Sequence, residues 1–240
     1  MPDEVKRIVC LANSRKLGGR CIAGKEVLPN RTIGAWVRPV TDQGSGEVPT
    51  WECIYPDGRE PAVLDIMEIP VLGHVPKEYQ QENWALDPKH PWEKVRVAPF
   101  ERAVALLDPP APLWSTGHST YNGRNDRIPL QDAVGLPDSL RLISVSDLTL
   151  HVSMPGESFG ETRKRVQGRF RYLGVEYWLR VTDIMWENEY LSRSNGDYYV
   201  GNAYLTISLG EPFEEFVYKL IAAIITPGGP PWKAQLRFPS

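Results

Sequence analysis

Cysteine is scarce in this 240-residue chain: Cys10, Cys21 and Cys53 are odd in number and form no C-x-x-C pair or finger-like spacing. A disulfide framework and a cysteine-based zinc site are therefore excluded, and a reducing compartment is expected. No apolar run approaches the roughly 20 residues that cross a bilayer. The longest, Phe216–Ile225, is interrupted by Lys219. The opening MPDEVKR lacks the apolar core of a signal peptide, so a cytoplasmic protein with no membrane partner is expected. Asn30-Arg31-Thr32 is then a chance glycosylation tripeptide. The four histidines, His74, His90, His118 and His151, are scattered with no H-x-H or H-E-x-x-H, and no metal or other cofactor is expected.

Catalytic signatures are equally thin. There is no G-x-S-x-G elbow and no G-x-x-x-x-G-K-[ST] loop. Cys10 lies inside the aliphatic run Ile8–Ala12 and reads as core, while Cys21, beside Arg20, is the less buried thiol. Asp57 followed by Asp87-Pro88-Lys89 loosely matches the carboxylate, carboxylate-x-Lys pattern of metal-dependent nucleases. Pro88 argues against a regular strand there and makes the match accidental. No catalytic residue is assigned, and a non-enzymatic protein is the leading expectation.

Proline, by contrast, is abundant: 22 in 240, beside 20 glycines, nearly twice the usual share of about 5%. With 42% apolar and 24% charged residues, this composition describes a globular protein of short strands and many loops. Strands are expected at Val5–Asn13, Arg20–Val27, Thr32–Val40 and within Ala62–Val75, with a polar loop Ser14–Gly19 between the first two. A short helix is expected at Phe100–Leu107. Residues 109–139, rich in Pro and Gly, read as a linker or a long functional loop. Strands resume at Leu140–Ser146, Arg165–Tyr172, Glu176–Asp183, Tyr199–Leu209 and Glu215–Ile225; the last is apolar enough to be a helix, but its β-branched content favours a strand. Asp183, Glu187 and Glu189 are expected at a turn or strand end, and the tail beyond Pro227 as an extended arm.

The fold expected is therefore all-β with minor helix: two five-stranded Greek-key barrels of OB type in tandem, 1–108 and 140–240, joined by 109–139. A single large sandwich is the rival. Neither half shows convincing sequence repetition of the other.

The net charge of −3 hides an uneven distribution. Residues 1–40 carry +5 and 161–180 carry +4, set in acidic surroundings of −6 (41–100), −3 (101–160) and −3 (181–240). Phosphate binding follows local potential rather than the total. In the second basic island Arg163 and Lys164 precede a clean alternation in which Arg165, Gln167, Arg169 and Arg171 share one face. Trp178 and Arg180 share a face of the next strand. Arginines for phosphates and a tryptophan for stacking form the pattern by which OB-folds hold single strands. A merely solvated face, with arginines paired to Glu157, Glu161 and Glu176, is the alternative. The first island contains Asn13, Ser14, Arg15, Lys16 and Arg20 around Gly18 and Gly19, donors suited to an anion, or simply a polar hairpin loop.

KRIVCLANSRKLGGRCIAG (6–24), WVRPV (36–40), ENWALD (82–87), GRNDRIP (123–129) and SLGEPF…YKLIAAII (208–225) together resemble the bacterial dual OB-fold domain family. The resemblance runs from about Lys6 to Ile225. It implies two OB-like barrels, recognition of nucleic acid or nucleotides, and an association with prokaryotic defence against foreign DNA. It also draws together the polar residues inside those motifs: Asn13, Ser14, Arg15, Lys16, Arg20, Arg38, Asn83, Asn125, Asp126 and Arg127.

Three functions stay open. The first is a module binding single-stranded DNA or RNA through Arg163, Lys164, Arg165, Arg169, Arg171, Trp178 and Arg180. The second is a sensor or enzyme for a nucleotide-like small molecule held between the barrels by the polar set just named. The third is an adaptor for protein partners in a multi-component system.

Overall fold

The computed structural model describes residues 2, 4–16, 18–42, 46–155, 163–227 and 229–230. The chain divides into two compact units, Met1–Leu106 with Asp132–Leu140, and Leu107–Gln131 with Arg141–Ser240. The segment expected as a linker is therefore shared out, its first part packing with the second unit and its last part with the first.

The first unit is built from β1 (Glu4–Lys16), β2 (Gly19–Val27), β3 (Ile33–Val40), the short helix α1 (Thr50–Cys53), β4 (Asp65–His74), β5 (Asn83–Leu86) and β6 (Glu93–Val97). Its sheet runs β1-β2-β3-β5-β4-β6, and β1 also pairs with β4, which closes the first five strands into a barrel. All pairings are antiparallel except β3 with β5. The strand β1 reaches further than the sequence suggests. Ser14, Arg15 and Lys16 pair with Cys21, Arg20 and Gly19, so the expected Ser14–Gly19 loop is corrected to a tight hairpin. Backbone pairing along an already formed ladder outweighs the loop preference of polar residues.

The second unit repeats the plan with β7 (Arg127–Pro129), β8 (Leu140–Ser153), β9 (Arg165–Tyr172), β10 (Val175–Val181), the helix α3 (Ile184–Leu191), β11 (Gly196–Phe213) and β12 (Phe216–Ile225). A further short helix, α2 (Leu130–Ala133), follows β7. The order β10-β9-β8-β11-β12-β7 closes where β10 pairs with β12, again the one parallel contact of the barrel. Numbering barrel strands one to five, both units run 1-2-3-5-4-1 with a helix between strands three and four. That is the five-stranded Greek-key barrel of the OB-fold, each with one extra edge strand.

Two apolar clusters fill the barrels. One gathers Ile8, Cys10, Ile22, Val37, Met67, Ile69 and Trp92, the other Leu148, Leu150, Val166, Phe170, Leu179, Ile207 and Ile221. Glycine makes the closures tight. A Cβ on Gly24 would lie 2.1 Å from the Val9 carbonyl oxygen, and one on Gly168 would lie 2.3 Å from Ile221 Cδ1. Burial pushes the thiol of Cys53 up to about 12, which with the complete burial of Cys10 leaves both as packing residues.

The last apolar run is a strand, and Phe100–Leu106 forms a 3-10 helix. Asp183 lies at the N-cap of α3, two residues beyond β10, while Glu187 and Glu189 lie within the helix rather than in a turn. Asp183 caps it, accepting from the N–H groups of Met185 and Trp186, because a short acidic side chain satisfies the free donors of a first helical turn. The tail 231–240, expected as an arm, lies outside the described residues, as do Glu157 and Glu161.

Candidate nucleic-acid interface

In the second barrel the alternation of β9 sends Val166, Gly168 and Phe170 inward, and turns Arg165, Gln167, Arg169 and Arg171 outward. Arg165 to Arg171 spans roughly 20 Å at a strand rise of about 3.3 Å. On β10, Tyr177, Leu179 and Val181 are inward, leaving Glu176, Trp178 and Arg180 on the same outer face. The register sets Arg171 opposite Glu176, Arg169 opposite Trp178, and Gln167 opposite Arg180. These are strands two and three of the barrel, the surface on which OB-folds take oligonucleotides.

The side chains on that face are partly pre-arranged. The Arg169 guanidinium sits 4.3 Å from the centroid of the Trp178 ring, and its Nη1 is 3.5 Å from Asp197. Asp197 also meets His151 Nδ1 at 2.5 Å. The Arg169 Nε is buried without a hydrogen-bond partner among the described residues. Trp178 donates its indole N–H to Glu176 at 3.2 Å. Arg180 reaches Glu187 at 3.7 Å. Burial lowers the Arg180 pKa, and the neighbouring positive charges of Arg163 and Arg165 lower it further against the pull of Glu187. Arg163, Arg165 and Arg180 therefore form a cluster of like charge, a surface that gains by receiving an anion. Arg163, Arg165 and Arg171 are exposed, while Lys164 donates to the carbonyl of Arg193 at 2.8 Å.

A loop borders this face. Arg124 exchanges backbone hydrogen bonds with Trp178 (3.3 and 3.0 Å) and pairs with Glu176 at 3.2 Å, while Gln167 donates across to the carbonyl of Asn122 at 2.7 Å. Asn125 and Asp126 hold the loop together. Asn125 accepts from the N–H of Gly117 and donates to the carbonyl of Glu176. Asp126 takes both the N–H and the hydroxyl of Thr120. At the tip Tyr121 is 97% exposed. Arg127, on β7, lays its guanidinium over Phe216 at 3.9 Å.

The remaining residues singled out in the sequence lie in the first unit. Asn13 donates to the carbonyl of Pro61, Ser14 to that of Cys21, and Arg20 is bidentate on Glu60 at 2.7 and 2.9 Å. That pairing raises the Arg20 pKa and lowers that of Glu60. Arg15 is exposed and Lys16 half-buried on the strand β1. Arg38 and Asn83 face each other across the parallel β3–β5 contact, both buried. Arg38 donates to Ser139 at 3.0 Å, and Ser139 in turn donates to Glu82. Among the described residues no group of three His, Cys, Asp or Glu side chains is placed to hold a metal ion, and no helix is long and apolar enough to cross a membrane.

Superposing the two barrels by register exposes a correspondence that sequence reading missed. Gly24-Lys25 on strand two faces Val37-Trp36 on strand three, and Gly168-Arg169 faces Leu179-Trp178 in the same way. Lys25 lies over Trp36 at 5.4 Å as Arg169 lies over Trp178. Arg38 and Arg180, each two residues beyond the tryptophan, both mark where strand three meets strand five. A glycine-cation pair and a Trp-aliphatic-Arg triplet are too short to stand out as repeats until the register aligns them. Asp197, His151 and Arg124 were missed for a related reason, since they come from strands and loops distant in sequence.

The family model for the dual OB-containing domain matches residues 6–224. Comparison with curated proteins and with solved structures gives no match.

Proposed function

Since the chain belongs to the dual OB-containing domain family, we propose that it binds single-stranded nucleic acid on the β9–β10 face of its second barrel. The observation that carries this reading is the Arg169–Trp178 stack flanked by Arg165, Arg171 and Arg180 on strands two and three, with Arg163 just before strand two. Trp178 supplies a π-face to one base and the arginines take the phosphates on either side. Tyr121, held at the border by the Asn125 and Asp126 bonds, offers a second exposed ring. Arg169 lies over the indole, orients it, and adds positive charge where the backbone passes.

The open face favours this reading over a small-molecule pocket. Asn13, Ser14, Arg20, Asn125 and Asp126 already have hydrogen-bond partners within their own units, whereas Arg163, Arg165 and Arg171 are exposed. An association with a defence system fits a single-strand binder and belongs to the same proposal.

The test is fluorescence titration of a labelled oligonucleotide at several salt concentrations. The slope of log K against log salt should be about −2 or steeper, since each phosphate neutralised on a single strand contributes about −0.7. Trp178→Ala should weaken binding about 5- to 150-fold, the range of one base stack at about 1–3 kcal/mol, while leaving the salt slope unchanged. Absence of saturable binding at low salt would remove the proposal.

A further inference from the structure

The first barrel carries the same constellation as the second, but closed. Strand alternation sends Val37 into the core and turns Trp36 and Arg38 outward, with Lys25 beside Trp36. Outward residues on a barrel face are ordinarily wet, as Arg165 and Arg171 are. Here Lys25 is 7% exposed, Trp36 9% and Arg38 2%. The element that closes over Arg38 is the chain's own segment Asp132–Leu140, which packs with the first unit. Ser139 accepts from Arg38 Nη2 at 3.0 Å, and its N–H and hydroxyl are anchored on Glu82 at 2.6 and 3.0 Å.

That cover satisfies the arginine poorly. The Ser139 hydroxyl is the one acceptor that the Arg38 guanidinium has among the described residues; its Nε is buried without a partner, as is Oδ1 of Asn83 opposite. A guanidinium fork is matched by two oxygens of one anion, not by one neutral hydroxyl. The segment itself is acidic at Asp132 and Asp138, the latter one residue before Ser139. An acidic stretch bonded to the under-satisfied Arg38, on the strand that also carries Trp36 with Lys25 over it, stands where a phosphate backbone would bind. The geometry points to a second, latent single-strand site on the β2–β3 face of the first barrel, with residues 132–140 acting as its built-in competitor. This rests on the reading of the second barrel given above.

Glu82 limits the site. When Ser139 leaves, Glu82 is free to pair with Arg38, as Glu187 pairs with Arg180 on the open face, so the latent face, which has fewer cations, binds more weakly than the open one. Occupation is therefore expected at low salt or high strand concentration, after the open face is filled.

The test uses the full chain and oligo-dT of about eight nucleotides, within the span of one OB site, at about 20 mM salt. In a background where Trp178→Ala with Arg163→Gln, Arg165→Gln and Arg171→Gln silences the open face, adding Asp138→Ala and Ser139→Ala should raise the residual affinity at least about tenfold. Arg38→Gln should cancel that gain. In the wild-type protein, saturating oligo-dT should speed amide exchange at 132–140. No gain on loosening, or a gain that survives Arg38→Gln, would overturn the latent site. Should the loosened variants fail to fold, unchanged exchange at 132–140 in the wild type overturns it instead. Wild-type binding that is lost in the silenced background, with no second site appearing, removes this inference alone; no binding by any form removes the open-face proposal as well.

Discussion

Replacing Asp183 with alanine is expected to destabilise the second barrel by about 4 kcal/mol, measured by urea unfolding at neutral pH. Its carboxylate accepts three backbone N–H groups: Met185 at 3.0 Å, Trp186 at 3.2 Å and Ile224 at 2.9 Å. The first two are the open donors of α3, and losing such a cap costs about 0.5–2 kcal/mol. The third joins the helix start to β12, and leaving a buried donor unmet costs about 1–3 kcal/mol. Because α3 lies between strands three and four, the loss is felt across the closure of the barrel. A change below about 1 kcal/mol would show that water replaces the carboxylate without strain.

The same residue carries a pH signature. Burial pushes the Asp183 carboxyl up to about 6 in spite of its three donors. The native state thus holds this proton more tightly than the unfolded chain, where an aspartate titrates near 3.9. The stability linked to this proton is fully present below about pH 4 and is lost as pH rises through about 6. The gap in stability between wild type and Asp183→Ala should therefore widen as pH falls from 6 towards 4. A gap that narrows over that window would contradict the burial of the charged form.

The second large effect concerns binding. Arg163→Gln, Arg165→Gln and Arg171→Gln together should weaken binding of a single strand about 500-fold at 50 mM salt and flatten the salt slope by about 2. Three phosphate contacts, each contributing about −0.7 to the slope, yield both figures when electrostatics are taken to vanish near 1 M salt. All three side chains are exposed, so thermal stability should hardly move, in contrast to Arg180, whose loss would leave the buried Glu187 without that partner. An unchanged salt slope in the triple variant would place the strand elsewhere on the molecule. Trp178→Ala is the complementary change, expected to alter affinity but not slope, so the two variants separate stacking from charge.

Much of the arginine face was legible because the information is local. The alternation in Arg165–Tyr172 is a period of two, and β9 occupies the expected residues. Trp178 and Arg180 follow after a tight turn, so their placement beside the arginines needs only a hairpin. The polar set drawn from Asn13–Arg20 and Asn125–Arg127 shows the opposite case. Those residue types suit an anion and suit turn and loop bonding equally well, and Glu60, Pro61, Gly117 and Thr120 complete their bonds in the fold. Nothing near them in sequence announces those partners.

The amino-acid sequence by itself determined the strand-rich character, the two basic islands and the side of β9 that faces outward, since each depends on composition or on neighbours a few residues away. Tertiary structure alone decided that Lys25–Trp36–Arg38 and Arg169–Trp178–Arg180 are equivalent, and that one set is open while the other is closed. Equivalence depends on the register between strands. Closure depends on Ser139 returning, a hundred and one residues after Arg38, to the first barrel. A face that looks solvent-exposed from its alternation is buried when a remote segment of the chain finds it, and no local pattern carries that information.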